Sequence, residues 1–293
     1  MSNAARSSFA ASSRHWLKKS RWHLRRMMAA LIWGPGRLSQ SPAVLGNAMP
    51  KSGSHLIIQV LQGLPRLGPF VNPGFPPVNR NEDNQKLNQA EILAKINLMR
   101  AGDIGYGYIP CEEPYTSALT KPGKATVFVY RDPRDMIISQ VFYATEMNMV
   151  HGMHRYYTET LNSMEERINA AILGVEEPGA ELSSIHSRWD RYYGWFQTPG
   201  VLCLRFEDLI LDRTTAFSSL LDYLEVRGFH TQPPRSRAIK ILNQAIQPGR
   251  SGTFRKGKPG NWREYFSETN KFVFKEKTGD LLIRLGYEES YDW

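Results

Sequence analysis

The chain has 293 residues, 41% of them hydrophobic and 22% charged, which is a globular composition able to bury a core. Its two cysteines, Cys111 and Cys203, exclude a disulfide scaffold and lack metal-ligand spacing, which fits a reducing, cytoplasmic setting. The net charge of +9 sits at the front: residues 1–81 carry eleven Lys and Arg and no acid, and the remainder is −2. A nucleic-acid groove needs basic residues spread over a folded face, so this distribution argues against one.

Residues 1–13 are rich in Ser and Ala and are expected to lack order. Residues 15–33 place Trp16, Leu17, Leu24, Met27, Met28, Leu31 and Ile32 at roughly helical spacing among Lys18, Lys19, Arg21, Arg25 and Arg26. The uninterrupted apolar run, residues 27–33, is too short to cross a bilayer, and no secretory cleavage site follows it. Three roles stay open for this segment: a solvated or core-packed helix, a peripheral helix on an anionic membrane, or an organellar transit peptide. The turn Gly34-Pro35-Gly36 ends it. The expected division is therefore a basic extension over 1–42, partly disordered with an amphipathic helix, and a folded domain over 43–293.

From residue 43 strands and helices alternate. Strands are expected at 43–49, 103–108, 125–130 and 201–206, with 125–130 the clearest buried one. Helices are expected at 55–64, 89–99 and 215–226. Asp132-Pro133 starts another, because Asp accepts free amide hydrogens and Pro suits the first helical position. Residues 65–85, rich in Pro, Gly and Asn, read as a long loop of the kind that often carries function. The pattern predicts an α/β fold: three layers, α/β/α, around a central parallel sheet, similar to P-loop nucleotide-binding proteins.

Three segments carry chemistry. Pro50-Lys51-Ser52-Gly53-Ser54-His55 links a strand to a helix. Amides at the helix start, the Lys51 ammonium and the Ser52 and Ser54 hydroxyls make an anion cradle there. It is not a Walker A loop, because Lys51 stands where the second glycine belongs. Arg131 ends the strand at 125–130, on the edge where open α/β sheets bind ligands, and Ser139 follows two helical turns later. An Arg fork and a Ser hydroxyl suit one phosphate, although Arg131 could equally pair with Asp135. Phe254-Arg255-Lys256-Gly257-Lys258-Pro259-Gly260-Asn261-Trp262 supplies basic residues on a glycine-rich loop. Each segment alone fits a bland reading as a surface turn, an intrahelical ion pair or a solvated loop.

Together, and in this order, the segments resemble the cytosolic-type sulfotransferases that use PAPS (3′-phosphoadenosine 5′-phosphosulfate). The cradle resembles that family's Pro-Lys-Ser-Gly-Thr-Thr-Trp signature, and Arg131 and Ser139 match its 3′-phosphate motif. Residues 255–262 resemble its carboxyl-terminal Arg-Lys-Gly-x-x-Gly-Asp-Trp motif. Leu204-Arg205-Phe206-Glu207-Asp208-Leu209 resembles the segment that borders adenine. The resemblance covers roughly residues 43–287. It implies that Lys51 neutralises the leaving 5′-phosphate oxygen and that residues 52–55 bind that phosphate. It implies that Arg131, Ser139, Arg255, Lys256 and Gly257 hold the 3′-phosphate, with Phe206 against the adenine. The expected product is PAP, no metal is expected, and the partner is a small-molecule or lipid-like acceptor offering a hydroxyl or amine.

The match departs from the family at the general base. The family's His falls at Tyr108, and an ordinary tyrosine hydroxyl, with a pKa of about 10, is a weak base near neutrality. Tyr108, Glu112 or Glu113, and His55 remain as candidates. His151 and His154 form a His-x-x-His pair without an accompanying acid-rich metal pattern. Two alternatives to an active enzyme follow: a PAP- or PAPS-binding protein impaired in catalysis, and a P-loop kinase, which would need Mg²⁺.

Overall fold

The computed structural model describes residues 3–250 and 255–293, with residues 3–15 in backbone only. Phe254, the first residue of the basic loop segment, lies outside the described residues. Helices α1 (Asn3–Trp33) and α2 (Pro35–Gln40) lead into strand β1 (Ala43–Ala48). Helix α3 (Ser54–Leu61), helix α4 (Gln89–Leu98), strand β2 (Ile104–Gly107), helix α5 (Tyr115–Leu119), strand β3 (Lys124–Tyr130) and helix α6 (Pro133–Phe142) follow. Next come helix α7 (Met164–Leu173), the hairpin of β4 (Val175–Glu177) and β5 (Ala180–Leu182), helix α8 (Ile185–Tyr193) and strand β6 (Val201–Arg205). Helices α9 (Phe206–Leu211), α10 (Arg213–Glu225), α11 (Arg235–Ala245), α12 (Glu268–Thr278) and α13 (Leu281–Arg284) complete the chain.

The main sheet is parallel throughout, in the order β2-β1-β3-β6. Side chains alternate across it, as the two-residue period of a strand requires. Leu45 and Phe128 enter one core with α6, α7, α8 and α12. Val44, Ala125, Val127 and Val129 enter the other, with α3, α10 and α11. Helices thus cover both faces, and the two central strands are apolar runs for that reason. Strand β6 was expected to be buried. It is half-buried from Val201 to Cys203, because it lies at the sheet edge with β3 as its only neighbour.

Helix α6 starts as the residues dictate. The Asp132 side chain accepts from the Arg134 amide, and Pro133 occupies the first turn.

Helix α1 begins at Asn3, in the stretch expected to lack order, and one face of it is docked. Trp22 is buried; its Nε1 donates to Asp103 Oδ1 at 2.9 Å, and Arg26 Nη1 reaches the same oxygen at 2.7 Å. Trp22, Ala29, Leu38 and Val71 form a small separate core, with Trp33 and Phe75 against it. No described helix is long and apolar enough to cross a membrane.

Candidate active site

The carboxyl edge of a parallel sheet gathers whatever follows each strand. Here it gathers the cradle after β1, Tyr108 after β2, Arg131 after β3 and Phe206 after β6. They line a cleft of about 1230 Å³ together with Gly53, Ser54, His55, Glu112, Ser139, Arg255, Lys256 and Gly257. That volume exceeds the ~300–1,000 Å³ of a single small-molecule pocket and leaves room for two ligands.

The cradle is a strained turn. Lys51 has φ 71°, a left-handed conformation that costs a side chain about 1–3 kcal/mol. Gly53, at φ 104°, caps α3, and a Cβ there would lie 2.5 Å from Phe206 Cδ2, so only glycine fits. The amides of Ser54 and His55 open the helix without intrahelical acceptors. Ser52 differs from expectation. Its hydroxyl donates to the carbonyls of Met49 at 2.8 Å and Val129 at 3.0 Å, and its amide also reaches Met49 O. Ser52 is fully buried and braces the turn against β3, so its hydroxyl proton is engaged by backbone carbonyls.

Lys51 lies under a ring: its Nζ is 3.8 Å from the centroid of Tyr143. Burial and the nearby Arg131 charge push its pKa down to about 8. Arg131 stacks over Phe206 at 4.4 Å and reaches Asp135 Oδ2 at 3.2 Å. The intrahelical ion pair weighed from the sequence is therefore present. It does not exhaust the guanidinium, because the buried Arg131 Nε has no hydrogen-bond partner. Lys51 and Arg131 lie close enough to repel one another, and Asp135 pairs with Arg131 alone, so positive charge is left that an added anion can meet.

Asp135 does more than pair with Arg131. Its buried carboxylate accepts from the amides of Gly260 at 2.9 Å and Trp262 at 2.8 Å. It thereby ties the basic carboxyl-terminal loop to Arg131. Burial outweighs these partners and holds its pKa above the ordinary aspartate value. Arg255 lies 3.9 Å from the Phe142 ring centroid. Lys256 is engaged by Glu264 at 2.8 Å and by Asn261 and Tyr265, both at 3.3 Å, so a ligand must compete for it. Gly257 takes a left-handed φ of 59°. Ser139 is half-buried on the cleft face of α6.

On the opposite side, Tyr108 shares a 2.9 Å hydrogen bond with Ser54 Oγ. Asn47, buried in β1, fixes that segment: its amide donates to Ile109 O and its carbonyl accepts from Ile109 N, both at 2.8 Å. Glu112 is exposed at the rim and pairs with Arg191 at 3.3 Å. The His55 ring has no hydrogen-bond partner among the described residues, and burial followed by the Lys51 charge lowers its pKa. His151 also faces the cleft. The Met153 amide donates to its Nδ1 at 3.1 Å, and its Nε2 lies 3.3 Å from the side-chain amide nitrogen of Gln140. Sequence reasoning missed the positioning roles of Tyr143, Asp135 and Asn47. The one signal available was that Asp135 lies one helical turn after Arg131.

Two solved structures share this architecture. Mouse sulfotransferase SULT7A1 complexed with PAP has a TM-score of 0.59 and 15% identity, over 87% of this chain and 91% of that one. Retinol dehydratase in complex with androsterone and the inactive cofactor PAP has a TM-score of 0.52 and 14% identity, over 84% and 83%. A comparison with curated protein sequences found no match. The sulfotransferase domain model matches residues 115–286, more than half of the chain, from α5 onward and so beyond the cradle, which the fold returns to the same cleft. The chain belongs to the sulfotransferase domain family and is an enzyme of sulfuryl transfer.

Proposed function

We propose that the enzyme transfers the sulfuryl group of PAPS to a hydroxyl or amine of a small, apolar or amphiphilic acceptor. The observation that carries the donor assignment is the Arg131 guanidinium, whose buried Nε lacks a partner beside Lys51, a second cation crowded against it. A donor bearing both a 3′-phosphate and a 5′-phosphosulfate supplies the anions these groups lack, and it carries sulfur on a phosphate leaving group. The cradle amides and Lys51 suit the 5′-phosphate. Arg131, Ser139, Arg255, Lys256 and Gly257 suit the 3′-phosphate. In this reading Lys51 opposes the charge that grows on the leaving oxygen, and positioning with charge stabilisation supplies most of the acceleration. A donor without the 3′-phosphate leaves the buried Arg131 Nε without a partner and is disfavoured for that reason.

For the proton of the acceptor we assign His55. Its ring lines the cleft on the same short turn as Lys51 with no hydrogen-bond partner among the described residues, and burial followed by the Lys51 charge lowers its pKa, which favours the neutral form a base needs. Tyr108, held by Ser54, orients the acceptor, and Glu112 is kept at the rim by Arg191. The test is a pH–rate profile. Transfer from PAPS should lose activity as pH falls through the His55 titration, and His55→Gln should abolish that limb while Tyr108→Phe retains it. An unchanged limb in His55→Gln overturns the assignment. PAP binding without turnover on any hydroxyl or amine would favour a donor-binding protein instead, and Mg²⁺-dependent transfer from ATP would favour a kinase. We further assign the enzyme to the cytoplasm, with α1 as a peripheral membrane contact.

A further inference from the structure

Helix α1 is apolar on two opposite sides. At 100° per residue, Trp22, Ala29 and Trp33 fall on the docked face. Leu17, Leu24, Met28 and Leu31 fall on the opposite face, spaced by seven, four and three residues. These four side chains are between 50% and 79% exposed, and Met27 and Ile32 widen the stripe on either side. An ordinary surface helix turns charge to the solvent here. This one turns large aliphatic side chains outward along several turns, and contiguous apolar surface of that kind marks a contact.

The charges around the stripe indicate what it contacts. Arg21 and Arg25 are exposed along one edge of the stripe, Lys19 is exposed nearer the docked face, and residues 1–81 contain no acid. Lys18 and Arg26 are drawn inward, to Glu82 and Asp103, and Arg25 also donates to Asn72 O. A second copy of the helix laid on the stripe would bring like charges together along its flanks. A bilayer with anionic headgroups meets the apolar stripe with acyl chains and the flanking cations with phosphate.

The helix also has a fixed relation to the cleft. The loop that receives it, through Asn72, Phe75 and Glu82, continues into Pro77, Asn79, Arg80 and Lys86, which wall the cleft. One loop therefore has α1 on one side and the cleft on the other.

We propose that the outward stripe of α1 seats the enzyme on an anionic membrane surface, with the cleft mouth held close to the lipid. This deepens the peripheral-contact assignment above and does not depend on which donor the cleft takes. The test is co-flotation of the full chain with phosphatidylcholine vesicles, with and without about 30 mol% phosphatidylglycerol. Wild type should float with the anionic vesicles, and high salt should weaken the binding. Leu24→Glu with Leu31→Glu should weaken it about tenfold or more, and Arg21→Glu severalfold. PAP-induced thermal stabilisation, measured on each variant, reports the fold and the donor site separately. Retained PAP stabilisation with lost flotation supports the proposal, whereas loss of PAP stabilisation in wild type counts against the donor reading alone. Failure of wild type to float overturns the membrane assignment. So does a concentration-dependent dimer that the Leu24→Glu, Leu31→Glu pair dissociates, which would make the partner a second copy. Should the double variant fail to fold, Leu24→Gln and Leu31→Gln singly carry the same prediction.

Discussion

The two sides of the cleft are built on opposite electrostatic plans. On the cradle side, Lys51 and Arg131 are crowded together, Lys51 is driven toward neutrality and Arg131 Nε goes without a partner. On the other side, Glu112 is bound to Arg191 and Tyr108 reaches back to the cradle's own Ser54, so the polar groups there have protein partners. A region that stores unmet charge depends on its ligand and requires particular residue types at particular places. A region that satisfies itself tolerates many sequences. The first is thus readable as motifs, whereas the second is not, and the acceptor is the part of the chemistry that the motifs leave open.

The contrast can be broken most strongly at Lys51. Lys51→Ala should lower kcat for transfer from PAPS by about 10²–10³, the loss typical of removing a group that stabilises developing charge. A kcat within a few-fold of wild type would show that the cradle amides suffice. Arg131→Ala should act on affinity, weakening PAP by roughly 10- to 100-fold, as expected for a charge-assisted contact worth about 1.5–3 kcal/mol, with a smaller effect on kcat. Calorimetric titration with PAP separates the two effects. Equal PAP affinity in Arg131→Ala and wild type would remove the donor-side role.

The shifted lysine sharpens the contrast through pH. Its folded pKa lies near 8, below the unfolded value, so folding disfavours its proton. Below pH 8 the ligand-free protein carries the full penalty, and stability from this residue rises as pH climbs from about 8 toward the ordinary lysine value. PAP affinity should move the other way and fall above pH 8 as Lys51 loses its charge. Lys51→Met should flatten both trends, measured by thermal melts and by PAP titration across that window.

A smaller effect is expected at Gly53. An added Cβ meets Phe206 and must adopt a left-handed φ, so Gly53→Ala should cost about 1–3 kcal/mol in denaturant unfolding. Smallest of all, Tyr108→Phe should change kcat only a few-fold if Tyr108 orients the acceptor. A loss as deep as that of Lys51→Ala would make Tyr108 the proton acceptor in place of His55.

The sheet and its flanking helices were legible because the central strands are mostly apolar and several helix starts carry local signals, as Asp132-Pro133 does for α6. The cradle was legible because phosphate-binding turns need a cation, small residues and a helix start in sequence. Direction within the turn was not. Ser52 and Ser54 look equivalent in the chain, yet one hydroxyl turns inward to Met49 and Val129 and the other toward Tyr108. Only the three-dimensional path of the turn separates them. Asp135 was visible as a partner of Arg131. Its grip on Gly260 and Trp262 joins residues 125 or more apart in the chain, beyond the reach of any local pattern. The docking of α1 was equally hidden, because Trp22 and Asp103 lie 81 residues apart.

That last contact has a practical consequence for anyone who trims the amino terminus as a dispensable leader. Asp103 is almost wholly buried and is held by Trp22, Arg26 and the Arg100 amide. A shortened chain beginning after Trp33 would leave that carboxylate with the Arg100 amide alone and uncover Leu38 and Val71. Such a protein should be less soluble and harder to purify for reasons unrelated to sulfuryl transfer. Its behaviour would say nothing about the role of the outward stripe, which has to be probed by substituting outward side chains in the full chain.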